Sequence, residues 1–391
     1  MLPSIPAIQS AMREFGFDGW LLYDFRKTNP LARRVLGFDD AGHSTRRWMY
    51  FVPATGEPRK LVHRIESGAL DHLPGEKTVY LKWQEFEEGV QSLVQSGRRI
   101  AMEYAPRNSN PYVSRVDAGT VELVRSFGVE VASSGDLVQL FEAVWDDEQW
   151  SLHRAAGEHT NSAYALVWKF IADQVRTCGG TNERAVQQQI LAHFERNGLV
   201  TDHPPIVAVN AHAGDPHYET ADAPIRAGDL VLVDLWAKVD HPRGVFSDLT
   251  RMGYVGATVP GEYAEVFSIV AAARDAGIQC VRDAFAAGRP LPGWQVDDAV
   301  RGVIERAGYG RYFVHRTGHS IGRETHGNGA NMDNLETHEE RLVLPGCCFS
   351  IEPGIYLPEF GIRSEINVFI GHDRVVHVTA GEVQTGIQAI V

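Results

Sequence analysis

Residues 230–255 read LVLVDLWAKVDHPRGVFSDLTRMGYV. Leu230 to Val233 is apolar at every position, which reads as a strand, and Asp234 follows at once. The turn-forming DHPRG then leads into a second strand-like run that carries Asp248. An anionic carboxylate in such a setting is expensive to bury unless a cation or several donors compensate it. The pattern returns downstream: LVLPGCCFSIEPGIY (342–356) and GIRSEINVFI (361–370) form another pair of strand-like runs, carrying Glu352 and Glu365. Asp234 and Asp248 are 14 residues apart and the two glutamates 13, so the spacing predicts two packed hairpins around one acidic cleft.

Working outward, each pair of strands follows two helical patterns. The first long pattern carries Leu152, Ala155, Ala156, Ala163, Leu166 and Val167 and starts beside VWDDEQW (144–150), where we place a domain boundary. A shorter helix runs from about Glu183, with Thr181 as the expected N-cap, Val186, Ile190 and Phe194 on one face and Gly198 closing it. The strand PIVAVN follows. In the second half the helices are expected near Tyr263 to Ala287 and Val296 to Ala307. Residues 146–391 therefore read as an α+β domain with an internal structural repeat, although no literal sequence repeat is visible.

Residues 1–145 read as a separate α/β domain. A helix with Ile8, Met12 and Phe15 on one face precedes the strands GWLLYD, RRWMYFV, KLVHRI, TVYLKW and RRIAMEY. It contains neither GxGxxG nor GxxxxGK[ST], so nothing here points to a nucleotide.

Two domains suit a chain of 391 residues. A net charge of −13 argues against nucleic acid or an anionic membrane surface as partner, because both need clustered Lys and Arg. The start, MLPSIPAIQSAMREF, has no signal-peptide pattern, and no segment is apolar for the roughly 18 residues of a membrane span, so a cytoplasmic location is expected. Cys178, Cys280, Cys347 and Cys348 lack metal or disulfide spacing and are expected as buried free thiols.

Four acids aimed into one cleft repel one another, and divalent cations resolve that conflict, because carboxylates can bridge two ions. His319, in HRTGHSIGRETHG, adds a nitrogen donor among small residues. Oxygen-rich ligation with one imidazole suits Mn²⁺ or Co²⁺ and permits Zn²⁺ or Fe²⁺. His315 and His326 lie four residues before and seven after His319, and His217 stands in NAHAGDPHYET ahead of the first acidic strand. These histidines suit proton transfer and carbonyl binding, while His212 reads as structural or surface-exposed. The residues together point to a metal-assisted hydrolase.

At these residues the chain resembles the pita-bread (creatinase/aminopeptidase-like) metallopeptidases, which include prolidase, aminopeptidase P, methionine aminopeptidase and creatinase. VDLWAK, FSDLTR, HRTGHSIG, SIEPGIY, GIRSEI and the DPHY loop carry the resemblance, and FDGWLLYDFRKTNPLARRVLGF is similar to the amino-terminal domain of prolidase, aminopeptidase P and creatinase. The resemblance implies Asp234, Asp248, His319, Glu352 and Glu365 as ligands of two divalent ions, with Asp248 and Glu365 bridging. It implies His217, His315 and His326 as substrate contacts, Arg363 as the arginine that orients a ligand, and Tyr356 as the tyrosine of EPGIY. The activity implied is hydrolysis of Xaa-Pro dipeptides: a water between the ions, acidified to hydroxide, attacks the carbonyl, Glu352 serves as general base and acid, and His326 helps stabilise the oxyanion. Alternatives are an Xaa-Pro aminopeptidase acting on longer peptides, a creatinase-like hydrolase and a non-catalytic peptide-binding protein. A homodimer is implied as well.

The chain departs from the family pattern in places. Its two aspartates are three residues further apart than usual, Trp236 stands where glycine is common, Gly327 replaces an acid, and Ile366 and Asn367 replace the acids often found after the last ligand. A dipeptidase also needs a cation for the substrate carboxylate. Arg341 and Arg363 are the candidates on the catalytic domain, His338 occupies a position where related dipeptidases often carry arginine, and Arg33, Arg34, Arg46 and Arg47 are candidates from a partner's amino-terminal domain.

Overall fold

Alternation sorts the first strands onto two cores. In the computed structural model, which describes residues 4–38, 42–379 and 381–391, Trp20 and Leu22 pack to one side of their strand while Leu21 and Tyr23 pack to the other. The chain divides into two compact units, Met1–Glu142 and Ala143–Val391.

The first unit holds one six-stranded sheet built from β1 (Gly19–Asp24), β2 (Trp48–Pro53), β3 (Arg59–His63), β4 (Glu76–Tyr80), β5 (Arg99–Met102) and β6 (Glu130–Ser133), in the order β4-β3-β2-β1-β5-β6. β2 is antiparallel to both its neighbours and the remaining pairs are parallel. Helices α1 (Ile5–Glu14), α2 (Pro30–Val35), α3 (Trp83–Val94), α4 (Ala118–Ser126) and α5 (Gly135–Glu142) complete it. The expected apolar face of α1 buries Ile8 and Met12, with Phe15 at the C-cap.

The second unit opens with α6 (Asp147–Cys178), capped by the Asp146 side chain on the Gln149 N–H and ended by Gly179 at φ +78°. Asn182, not Thr181, caps α7 (Glu183–Arg196) by accepting from Ala185 N–H. Thr181 instead lies in the short β7 (Thr181–Asn182), which pairs with β10 (Pro224–Ile225). Strands β8 (Leu199–Val200), β9 (Ile206–Val209), β11 (Leu230–Val239), β12 (Ser247–Val255) and β19 (Gln388–Ile390) form the next sheet, with β11 at its centre. Val231, Val233 and Leu235 face a core shared with α6 and α7. Leu230 and Leu232 face a second core, shared with α8 (Gly261–Ala286) and α9 (Gly293–Arg306). The all-apolar run is thus covered on both sides.

The second acidic pair lies among β13 (Ser320–Ile321), β14 (Cys348–Ile351), β15 (Gly354–Tyr356), β16 (Gly361–Arg363), β17 (Ile366–Ile370) and β18 (Val376–Thr379), between strands. Two long strands were expected here, yet the hairpin breaks into β14–β17 and β15–β16. The interruption falls at the acids themselves. Glu352 N–H is bonded to Thr317 O (2.8 Å) and Glu365 N–H to Thr250 O (3.2 Å), and Pro353 has no N–H to offer. Cys347 and Cys348 are buried as expected, but Cys280 is partly covered and Cys178, at the end of α6, is exposed. Among the described residues no helix is long and apolar enough to cross a membrane.

Candidate metal centre

Strand register brings the first two acids together. Asp234 stands opposite Thr250, and Asp248 opposite Trp236, which makes the two aspartates diagonal neighbours on one face of the β11–β12 hairpin. They share that face with Leu230 and Leu232, so both are buried, Asp234 at 9% exposure and Asp248 at 4%.

His319 enters from the segment before β13. Its Nε2 lies 3.5 Å from Asp248 Oδ2 and 3.3 Å from Glu352 Oε1. Asp248, His319 and Glu365 each offer a ligand atom, and the three atoms lie within 4.8 Å of one another. Its Nδ1 is 3.1 Å from Ser320 O, a carbonyl that can only accept, so Nδ1 carries the proton and Nε2 turns toward the carboxylates. A proton or a cation must occupy the space facing that nitrogen. Asp234 sends one oxygen to Arg363 Nη2 (2.6 Å), and its other oxygen, Oδ1, is buried with no hydrogen-bond partner among the described residues. An orphaned carboxylate oxygen, an outward ring nitrogen and clustered acids together fit divalent cations.

The titration behaviour has the same origin. Burial pushes Asp234 up to about 7 despite the opposing Arg363 guanidinium, and Asp248 and Glu352 add repulsion. Burial also raises Asp248 against the pull of His319, and raises Glu365 well above the carboxylate range with help from Asp248, Glu352 and Asp234. Glu352 differs: burial opposes its charge, but His319, His315 and Arg363 together hold it below the usual range. Burial favours a neutral His319, yet Asp248 and Glu352 outweigh it and raise the ring. His326 drops to about 3, first through His319 and then through burial, and burial takes His315 to about 4.

Side chains that the spacing argument passed over hold the acids in place. Thr250 Oγ1 donates to Glu365 Oε2 (2.8 Å) and accepts from Arg363 Nε (3.1 Å). Ser350 Oγ accepts from His319 N–H and donates to Glu352 Oε1, both at 2.9 Å. The Asn367 amide clamps the Asp248 backbone on both sides, accepting from its N–H (3.0 Å) and donating to its carbonyl (2.5 Å). Each of these three stands two residues along the chain from an acid. That spacing was a readable signal.

The remaining expected residues divide. Tyr356 OH lies 2.7 Å from His315 Nε2 and 3.0 Å from Arg363 Nη1, so His315, Tyr356, Arg363 and Asp234 form one chain of contacts. The His326 ring sits edge-on to His319 with centroids 4.3 Å apart. His217 is exposed, and among the described residues its side chain has no hydrogen bond to the cluster. The 3-10 turn just before it, Asn210–Gly214, is packed hard on the β15–β16 hairpin: a Cβ added at Gly361 would fall 1.7 Å from Ala213 O. His212 bonds the buried Glu183 (2.9 Å), which also takes Tyr218 OH (2.7 Å), as its structural reading anticipates.

Two expectations are corrected. Arg341 is buried and forked onto Glu339 (2.9 and 2.5 Å), and Arg363 is engaged by Asp234, Thr250 and Tyr356, so neither offers an open guanidinium for a substrate carboxylate. His338 stacks on Trp294 with centroids 5.3 Å apart. The longer β11–β12 connection is tied back to the start of α6, where Arg243 pairs with Asp146 and Glu148. Trp236 donates to Asp202 Oδ1 (2.7 Å).

The chain is similar to several known proteins. The probable dipeptidase PepE of Mycobacterium tuberculosis is 29% identical over 332 residues, 84% of this chain and 82% of that protein. An Xaa-Pro dipeptidase of Pyrococcus furiosus is 31% identical over 206 residues, 52% of this chain and 55% of that one. The crystal structure of dipeptidase PepE from Mycobacterium ulcerans superposes with a TM-score of 0.68 at 23% identity, covering 99% of this chain and 96% of that one; it shows the shared fold, an amino-terminal domain followed by a pita-bread domain. The pattern of metallopeptidase family M24 matches residues 151–373, which contain every side chain of the cluster, and the chain belongs to that family as a metal-dependent peptidase.

Proposed function

We propose that this protein hydrolyses Xaa-Pro bonds, dipeptides foremost, at the cluster formed by Asp234, Asp248, His319, Glu352 and Glu365. The observation that carries the reading is the gathering of Asp248, His319 and Glu365 beside the orphaned Asp234 oxygen. The Xaa-Pro dipeptidases among its relatives support the choice of substrate. Two divalent cations, Mn²⁺ or Co²⁺ ahead of Zn²⁺ or Fe²⁺, would supply Lewis acidity and make water a nucleophile near neutral pH.

The chain's own residues do the rest. Glu352, the acid held below the usual range, accepts the proton of the attacking water and delivers it to the leaving proline nitrogen. Ser350 orients that carboxylate, while Thr250 and Arg363 fix Glu365 and Asp234. His326, neutral and at the exposed rim beside His319, donates to the carbonyl oxygen as negative charge develops there. His315 has a different part. Its Nδ1 donates to Arg316 O (2.7 Å), so its Nε2 accepts from Tyr356 OH; it lines the pocket and braces Tyr356. His217 reaches the substrate from its loop.

A second reading has its own support. Because Arg341 and Arg363 are both engaged, a substrate longer than two residues, as for an Xaa-Pro aminopeptidase, meets no obstacle from them. Hydrolysis of Ala-Pro and Ala-Pro-Pro by metal-stripped protein reloaded with Mn²⁺, Co²⁺ or Zn²⁺ separates the two. Cleavage of Ala-Pro alone supports the dipeptidase, cleavage of both supports the aminopeptidase, and no metal-dependent cleavage of either defeats both. We also place the protein in the cytoplasm as a homodimer, with its catalytic domain starting at residue 146.

A further inference from the structure

The amino-terminal unit has a cleft that the peptidase reading leaves unused. It measures about 990 Å³ and is lined by Tyr23, Phe25, Arg26, Arg46, Arg47 and Leu123, with Asp117 and the first turn of α4 at one side. A chain with 50 acidic and 37 basic residues has carboxylates to spare for its arginines. Yet among the described residues none of these three guanidiniums is in an ion pair. Arg47 stacks on the Phe86 ring with its Cζ 3.9 Å from the centroid, and Arg46 donates only to Thr45 (3.0 Å to Oγ1). The lone acid in the lining is already engaged: Asp117 takes Thr120 N–H (2.9 Å) and Thr120 Oγ1 (2.8 Å) as the cap of α4. Three guanidiniums against this one carboxylate leave the lining with a net positive charge.

The backbone presents this charge by design. Arg26 and Lys27 hold φ of +56° and +65°, a left-handed pair that residues with side chains seldom adopt. Buried Asp24 enforces the turn by accepting from Lys27 N–H (3.2 Å) and Asn29 N–H (3.0 Å), and Thr28 Oγ1 closes it on Phe25 O (2.8 Å). On the opposite wall Glu66 fixes the Thr45–Arg46 segment by accepting both backbone N–H groups, at 2.9 and 3.1 Å. Two separately braced segments thus bring arginines to one cavity. Its volume is that of a small-molecule site and far exceeds a bare ion, and Tyr23, Phe25 and Leu123 offer apolar surface beside the guanidiniums. Burial pushes the Tyr23 hydroxyl up to about 12, which keeps it a protonated donor.

We propose that this cleft is an oxyanion site that takes a small molecule carrying a phosphate or carboxylate on a flat apolar body. Guanidinium forks match both groups, and the N-terminus of α4 adds a favourable dipole. The residues that form it all lie in the amino-terminal unit.

Isothermal titration of the metal-loaded protein with phenyl phosphate, hippurate and inorganic phosphate tests it. Anions also bind metal centres, so the informative quantity is the difference between wild type and Arg46→Ala/Arg47→Ala. The expected result is a binding event for phenyl phosphate or hippurate that weakens at least tenfold in the variant. Tighter phenyl phosphate assigns the site to phosphoryl ligands, and tighter hippurate to carboxylates. Arg26→Ala, on an exposed turn outside the core, is expected to weaken the same event and guards against misfolding of the double variant. Coincident isotherms for wild type and both variants, with all three probes, would overturn the proposal.

Discussion

The two acidic hairpins of the catalytic unit reach one cluster by different means. In β11–β12 the ladder runs unbroken from Leu230–Tyr254 to Ala237–Ser247, and the aspartates sit inside it, brought together by register. In the second hairpin the ladder stops at Glu352 and Glu365, whose backbone N–H groups are bonded to Thr317 and Thr250 instead. A regular ladder needs no outside help to aim a side chain. An interrupted one does, and here the first hairpin supplies it, because Thr250 holds Glu365 through both its carbonyl and its hydroxyl. For Glu365 the first hairpin is thus a template, while Arg363 and Asn367 tie Asp234 and Asp248 back to the second.

That asymmetry can be broken at several points. Glu352→Gln removes the proton carrier at the interruption, and activity on Ala-Pro is expected to fall by about 10²–10⁴-fold with folding intact by circular dichroism; retained turnover would place the proton transfer elsewhere. Thr250→Val keeps the ladder and the backbone bond to Glu365 but removes the hydroxyl that joins Glu365 and Arg363. Metal affinity, read by competition with a chelator, should fall about 10–100-fold, as for other residues that orient ligands. Ser350→Ala should follow the same course more weakly and cost about 1–3 kcal/mol of stability in urea unfolding, since it leaves Glu352 and the His319 N–H short of a partner. Tyr164→Phe, which removes only a hydroxyl bonded to Leu249 O (2.6 Å) behind the first hairpin, should cost about 1 kcal/mol and leave metal affinity unchanged. If Tyr164→Phe harmed metal binding more than Thr250→Val, the template relation would be reversed.

The pH response offers a subtler check. Asp234 is raised to about 7 from its ordinary 3.8, so between those values the folded chain holds a proton that the unfolded chain has lost. The native state then binds more protons, and this contribution to stability declines as pH rises from about 4 to about 7. Thermal melts of metal-free protein should show the decline, and Mn²⁺ should reduce it by taking the place of the proton. A metal-free protein that gained stability across that interval, with Asp234→Asn leaving the trend unaltered, would show that this carboxylate is not under strain.

Much of this was legible before any coordinates. The apolar run at Leu230–Val233, the matched spacing of the acid pairs and the preceding helices carried the architecture, because apolar periodicity and turn chemistry are local properties of sequence. The break at Glu352 and Glu365 was not, since apolar residues continue on both sides of it and the deciding bonds to Thr317 and Thr250 are distant in sequence. Thr250 and Ser350 escaped notice because uncharged side chains give no electrostatic signal, and Asn367 was read only as the replacement of an acid, although each lies two positions from an acid. Arg341 was misjudged because its partner Glu339 sits two residues away in a loop, where no periodicity announces a pair. The cap of α7 was displaced by one residue where Thr181 and Asn182, both able to cap, stand side by side.

The near-contact at Gly361 has an evolutionary corollary. With an added methyl carbon only 1.7 Å from the Ala213 carbonyl oxygen, this position tolerates no drift in its residue type unless the loop bearing His217 lifts away from the strand pair bearing Arg363. A lineage retaining the enzyme is confined to glycine there, and one that has lost it is free to wander.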